Sequence, residues 1–200
     1  MAARIFLIRH GETQWSLTGQ HTGRTDLPLT ENGERRASGL REPLGRIKFT
    51  RVLTSPLQRA RRTCELAGLG AVARVDLDLQ EWDYGDYEGR TTTAICAQNP
   101  GWNVFKDGCP QGESVEQILR RADRVIAGLR SMEGTAALFS HGQFLRALAT
   151  RWIGLAVLEG QHLALDTASV SILGFERHAG EVPAICLWNA ASGGVPASPD

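Results

Sequence analysis

Two histidines in this chain stand directly before glycines, His10 in Arg9-His10-Gly11 and His141 in Ser140-His141-Gly142, and each follows an apolar run. A neutral imidazole is a competent nucleophile toward phosphorus. A neighbouring guanidinium opposes its protonation and offers paired donors to phosphoryl oxygens. Arg9, Arg59 and Arg62 are positioned to supply such donors, because Arg59 lies four residues beyond Ser55, near a helix start whose free backbone N–H groups also favour an anion. A departing alcohol needs a proton, and the stretch from Leu79 to Gly89, carrying Glu81, Asp83, Asp86 and Glu88, is the carboxylate supply. On chemistry alone either histidine qualifies as nucleophile, and spacing does not choose among the acids.

These residues can meet only if strand ends bring them together. In an open α/β sheet the carboxyl ends of parallel strands face one crevice. Residues 4–8 read as a buried strand, 51–54 as a second, 71–75 as a short third and 135–140 as a fourth; 168–176 and 183–188 close the chain as a less regular pair, joined by the turn His178-Ala179-Gly180. Between them, Thr30 caps a helix running to about Arg41, and Ser55, Pro56 and Gln58 form a capping-box helix start, with that helix ending near Gly68. A further helix spans about Glu113 to Leu129, with Val115, Ile118, Ala122, Val125, Ile126 and Leu129 at core spacing. Arg36, Arg41, Arg61, Arg120, Arg121 and Arg124 read as helix-surface arginines. The polar stretch 12–29 is long for a βα connection, which suits a site or a lid. The expected architecture is a three-layer α/β/α sandwich with a mostly parallel central sheet, forming one domain over 1–190 with a flexible tail at 191–200.

The chain has 200 residues, with 22 basic and 22 acidic side chains, so its formal charge is zero and it lacks the basic stripe of a nucleic-acid binder. Lysine occurs only at Lys48 and Lys106; arginine supplies the other cations. Cys64, Cys96, Cys109 and Cys186 are too scattered for a metal finger, and no acidic metal quartet accompanies the histidines, so no metal or other cofactor is expected. No GxxxxGK[ST] follows a strand. Without a signal-peptide pattern or an apolar span of membrane length, the expectation is a cytoplasmic protein with no membrane partner. Oligomeric state is left open, a homo-oligomer included.

Beside RHG stand Glu12 to Trp15 (ETQW), Thr22-Gly23, Leu29 to Gly33 (LTENG), Ser55 to Thr63 (SPLQRARRT), the E-x-x-x-G-x-x-E-G pattern at Glu81 to Gly89, Gly112 to Ser114 (GES) and Ser140 to Gly142 (SHG). In this order and over nearly the whole chain, they resemble the histidine phosphatase, or phosphoglycerate-mutase-like, superfamily. The resemblance implies that His10 is phosphorylated, that Arg9, Arg59 and His141 hold the phosphate, and that Glu81 is the general acid and base. Gly11, Ser16, Thr22, Gly23, Arg62 and Gly142 are the expected substrate contacts, with main-chain donors near the glycines completing the anion shell. Ser16 replaces the asparagine usual in cofactor-dependent mutases, and the segment between the acidic loop and GES is short; the short segment favours hydrolysis over phosphoryl return. The runs Glu12 to Thr30, Lys106 to Ser114 and Ser140 to Leu155 are most similar to the fungal-type sedoheptulose-1,7-bisphosphatase branch. That implies a small sugar phosphate or bisphosphate as substrate, with Arg24 as a candidate contact to a second anion. The alternatives are a phosphoglycerate mutase and a non-catalytic phosphate-binding or protein-interaction module.

Overall fold

In the computed structural model, residues 4–176 and 182–196 are described. Six strands form one sheet: β1 (Arg4–Arg9), β2 (Arg51–Thr54), β3 (Arg74–Val75), β4 (Thr135–Ser140), β5 (Val170–Phe175) and β6 (Pro183–Ala190), in the spatial order β3-β2-β4-β1-β5-β6. The first four pair in parallel, while β5 runs antiparallel to β1 and β6 antiparallel to β5. The helices are α1 (Gln14–Thr18), α2 (Glu31–Ser38), α3 (Arg41–Gly45), α4 (Gln58–Leu66), α5 (Thr92–Cys96), α6 (Val104–Asp107), α7 (Val115–Arg130) and α8 (Gly142–Trp152).

Alternation along β1 explains the layers. Ile5 and Leu7 join one apolar cluster with Ile118, Ala122 and Leu129 of α7 and Phe144, Leu145 and Leu148 of α8. Phe6 and Ile8 point the other way, onto Leu40, Leu44 and Cys64 beside α2 to α4. A strand buried on both faces must be continuously apolar, as 5–8 is. The result is the three-layer α/β/α sandwich with a mixed, mainly parallel sheet. No helix among the described residues is long and apolar enough to cross a membrane.

Several local expectations are corrected. The helix after Thr30 stops at Ser38 and resumes as α3, because Pro43 has no N–H to bond back to Gly39. Helix α4 begins at Gln58 with Leu57 at its cap position, and Ser55 does not cap it. The glutamine intended for the capping box is drawn across to the first long loop, where the Gln58 N–H donates to Asp26 Oδ1 (2.8 Å) and its side chain to the Asp26 carbonyl (2.5 Å). The third strand is only two residues long, since Gly70–Val72 forms a 3-10 turn instead. Helix α7 carries a capping box between Ser114 and Gln117. At the chain's end Val195 packs into the second apolar cluster; residues 197–200 and His178 lie outside the described residues.

Candidate active site

Parallel pairing puts Arg9 of β1 level with Ser140 of β4, so the residues that follow, His10 and His141, leave the sheet side by side. The His10 N–H donates to the Ser140 carbonyl (3.0 Å), and the two rings lie 5.1 Å apart. Above them is a cavity of about 180 Å³ whose lining includes Arg9, His10, Thr22, Glu81, Gly142 and Leu165, together with Gly19, Gln20, His21, Tyr84, Gln143 and Arg146.

Of the two histidines, only His10 lines this cavity. Its Nδ1 sits 2.7 Å from the Gly11 carbonyl, which can only accept, so Nδ1 carries the proton and Nε2 keeps the lone pair. Burial, then the charges of Arg59 and Arg9, hold the imidazole well below its usual pKa. His10 is therefore a neutral base in a cationic surrounding. His141 is held from both sides: Arg59 Nε donates to its Nδ1 (3.1 Å), which leaves the proton on Nε2 to be donated to Ser55 Oγ (2.7 Å). Burial and Arg59 also push its pKa well down. Ser55, which the sequence marks only as a helix start, is the second anchor of His141.

The arginines divide their tasks. Arg9 lines the cavity, donates through Nη1 to the Leu165 carbonyl, and has a buried Nε with no partner. A Cβ on Gly142 would come within 3.3 Å of the Arg9 guanidinium, so glycine leaves that group its place beside the start of α8. Arg59 is fully buried and does not line the cavity. Its Nη1 donates to the Thr25 carbonyl and its Nη2 to those of Thr22 and Gly23. Glu88 accepts from the N–H groups of Gly23 and Thr25, so a cation and a carboxylate grip opposite edges of the same loop.

Glu81 is 8% exposed and borders the cavity. Its Oε1 accepts from the N–H groups of Trp82 and Phe144 and its Oε2 from that of Gln143, so the carboxylate is docked on the N-terminus of α8. His10, Glu81, Arg9, Thr22 and Gly142 are thus brought together, with His141 and Arg59 directly beneath.

Other expected contacts lie elsewhere. Arg62 is exposed and paired with Glu34 (2.7 Å) and Glu65 (3.5 Å), because it points to the outer face of α4. Ser16 is occupied in the capping box of α1 with Thr13. The N–H groups of Gly11 and Gly23 are taken by Thr63 Oγ1 and Glu88. That of Gly142, at the first position of α8, has no partner within its helix. Arg24 is 79% exposed, pairs with Asp83 and borders a neighbouring cavity rather than this one.

Sequence reasoning missed Tyr84, Gln143 and Arg146. Gln143 and Arg146 are one turn apart on the half-buried side of α8, while Phe144, Leu145, Ala147 and Leu148 face the core. Two polar residues at that spacing, just after His141-Gly142, were the available signal.

The chain matches the family described as the histidine phosphatase superfamily (branch 1) over residues 5–189. It belongs to that superfamily. An acid phosphatase of Mycobacterium tuberculosis is 46% identical over 178 residues, covering 87% of each chain. The sedoheptulose 1,7-bisphosphatase of Saccharomyces cerevisiae is 38% identical over 191 residues, covering 78% of this chain and 70% of the other. Among solved structures, that of a Mycobacterium tuberculosis open reading frame has a TM-score of 0.87 at 40% identity, covering 95% of this chain and 98% of that one. This histidine phosphatase is a phosphomonoester hydrolase, and its likeness is not confined to the sedoheptulose-bisphosphatase branch, since the acid phosphatase shares more identity.

Proposed function

We propose that the protein hydrolyses a small sugar phosphate or sugar bisphosphate, without a metal ion, through a phosphohistidine on His10. The observation that carries this reading is the Nδ1 bond from His10 to the Gly11 carbonyl, which presents Nε2 to the cavity as a lone pair. Nε2 attacks phosphorus, the P–O bond to the leaving alcohol breaks, and Glu81, entering the step as the carboxylic acid, gives that oxygen its proton and becomes the carboxylate. Water then attacks phosphohistidine with Glu81 taking its proton, the P–N bond breaks, and its electron pair returns to His10. Arg9 and the Gly142 N–H are the donors nearest the phosphoryl oxygens, and the charge of Arg59 lies behind them.

Two features support an anionic or polyhydroxylated leaving group. Gln143 and Arg146 give the cavity's outer wall polar ends, and Arg146 is anchored through Nε to the Gly160 carbonyl (2.8 Å) and through Nη1 to Gln143 (2.5 Å). The likeness to a sedoheptulose bisphosphatase points the same way.

A panel containing sedoheptulose 1,7-bisphosphate, fructose 1,6-bisphosphate, phosphoglycerates and simple phosphomonoesters, assayed for free phosphate in excess chelator, tests the proposal. Sugar bisphosphates should be turned over fastest; loss of all activity in chelator would reject the metal-independent reading. Rapid quench should trap an acid-labile phosphoenzyme in the wild type and none in His10→Ala. Conversion of 3-phosphoglycerate to its 2-isomer, primed by 2,3-bisphosphoglycerate without net phosphate release, would instead identify a mutase.

A further inference from the structure

Arg121 was expected on the surface of its helix, yet it is 7% exposed and uses its whole guanidinium. Nη1 donates to the carbonyls of Asp78 (2.8 Å) and Gln80 (2.5 Å), and Nη2 to that of Glu81 (3.2 Å). Nε and Nη2 also form a two-point pair with Glu113, at 3.0 and 2.7 Å. Glu113 in turn accepts from the Asp83 N–H through Oε2 (3.0 Å), and its carbonyl accepts from the Trp82 indole (2.9 Å). The backbone on both sides of Glu81 is therefore tied to one ion pair, with Arg121 buried and Glu113 half-buried.

The same guanidinium covers the Phe144 ring, with Cζ 4.5 Å from its centroid, and the Phe144 N–H is a donor to the Glu81 carboxylate. Arg121 thus touches both the main chain that carries Glu81 and the helix turn that receives its carboxylate. We infer that Arg121, held by Glu113, is the positioning residue that sets where the Glu81 carboxyl stands relative to the departing oxygen. A planar fork suits this task because several acceptors lie around its rim, whereas an ammonium would satisfy Glu113 and release some of the carbonyls.

The inference rests on the reading of Glu81 as proton donor, and one experiment separates the two. For each variant, kcat/KM is measured on an alkyl phosphate, whose alkoxide must be protonated as it leaves, and on p-nitrophenyl phosphate, whose phenolate needs no proton. This parameter reports steps up to phosphoenzyme formation, so the later water attack does not mask the effect. Glu81→Gln should lose about 10²-fold or more on the alkyl ester and much less on the aryl ester; equal losses would overturn the reading of Glu81 itself.

Given that result, Arg121→Lys, which keeps a charge beside Glu113 and so favours folding, should lose at least about tenfold on the alkyl ester with little change on the aryl ester. Glu113→Gln should show the same selectivity more weakly. Equal losses on both substrates, or no loss on either, would overturn the positioning role. Matching near-ultraviolet circular dichroism of variants and wild type identifies the folded samples on which the comparison is made.

Discussion

The chemistry narrows to one nitrogen. His10 Nε2 is available because the Gly11 carbonyl accepts from Nδ1–H and so keeps the proton on Nδ1, and because burial and two guanidinium groups keep the ring neutral. In the folded protein its pKa lies well below the ordinary 6.5, so lowering the pH through 6.5 leaves the imidazole unprotonated. The acid limb of kcat/KM should accordingly fall below pH 6.5; a limb centred near 6.5 would mean an ordinary, solvated imidazole. His21 offers a stability test of the same kind. It stacks on Tyr84 with ring centroids 4.5 Å apart, and burial lowers its pKa to about 4. Because the folded value is depressed, the unfolded chain takes up the proton first between about pH 6.5 and 4, and stability falls as pH falls through that window. His10 and His141 act with the same sign, so the comparison must be with a variant: His21→Asn should show a shallower loss of Tm between those pH values. Parallel Tm curves for the two proteins would remove His21 from that balance.

At the scale of elements, the loop after β1 is pressed against the start of α2 by two glycines. A Cβ on Gly33 would lie 2.3 Å from the Glu12 carbonyl oxygen, and one on Gly11 would lie 2.7 Å from that of Gly33. The contact is backbone against backbone and cannot be relieved by turning a side chain. Glycine costs helix α2 something intrinsically, and close approach is what it provides in return. Gly33→Ala should destabilise the protein by about 1–3 kcal/mol in urea unfolding, despite alanine's better helix propensity, and should lower kcat/KM by displacing the segment that carries His10. An alanine variant as stable and active as the wild type would show that the approach is not required. The Ser55, Pro56 and Gln58 pattern teaches the related lesson that a correct local signal can be outcompeted. Asp26, distant in sequence, takes both polar groups of Gln58 and moves the helix start.

Across the whole molecule, the sheet changes direction at β1, the strand that leads into His10. On one side lie β4, β2 and β3 in parallel, and on the other β5 runs antiparallel to β1 and β6 antiparallel to β5. This gives β1 a neighbour, β4, whose carboxyl end delivers His141 and the start of α8, and a second, β5, whose approach from the opposite direction places Leu165 over Arg9. The last described residues also belong to the packed molecule. Val195 is 9% exposed against the second cluster, so the segment after β6 is not wholly outside the core. Val195→Ala removes two methyl groups, each with a transfer free energy of about 0.8 kcal/mol, so about 1–2 kcal/mol of stability should be lost with kcat unchanged. An unchanged urea midpoint would mean that the contact contributes nothing in solution.

Sequence by itself determined the fold class, the order of the six strands and of the longer helices along the chain, and the residue types gathered at the strand ends. These follow from local rules: continuous apolar runs must be buried on both faces, helical spacing must face a core, and strand ends in an α/β sheet must share a crevice. The motif order from Arg9 to Gly142 carried the family: the motifs at Arg9 to Gly11, Ser55 to Thr63 and Ser140 to Gly142 follow strands, and those at Leu29 to Gly33 and Gly112 to Ser114 open helices. Only the tertiary structure decided which histidine faces the cavity, because that depends on whether Gly11 or the Arg59 and Ser55 pair holds the ring. It also sent Arg62 to the surface, committed Arg59 to the loop at 22–25, and buried Arg121 under Glu81. Those assignments turn on partners far away in the chain. A guanidinium is long enough to reach several of them, and its position in the sequence does not say which.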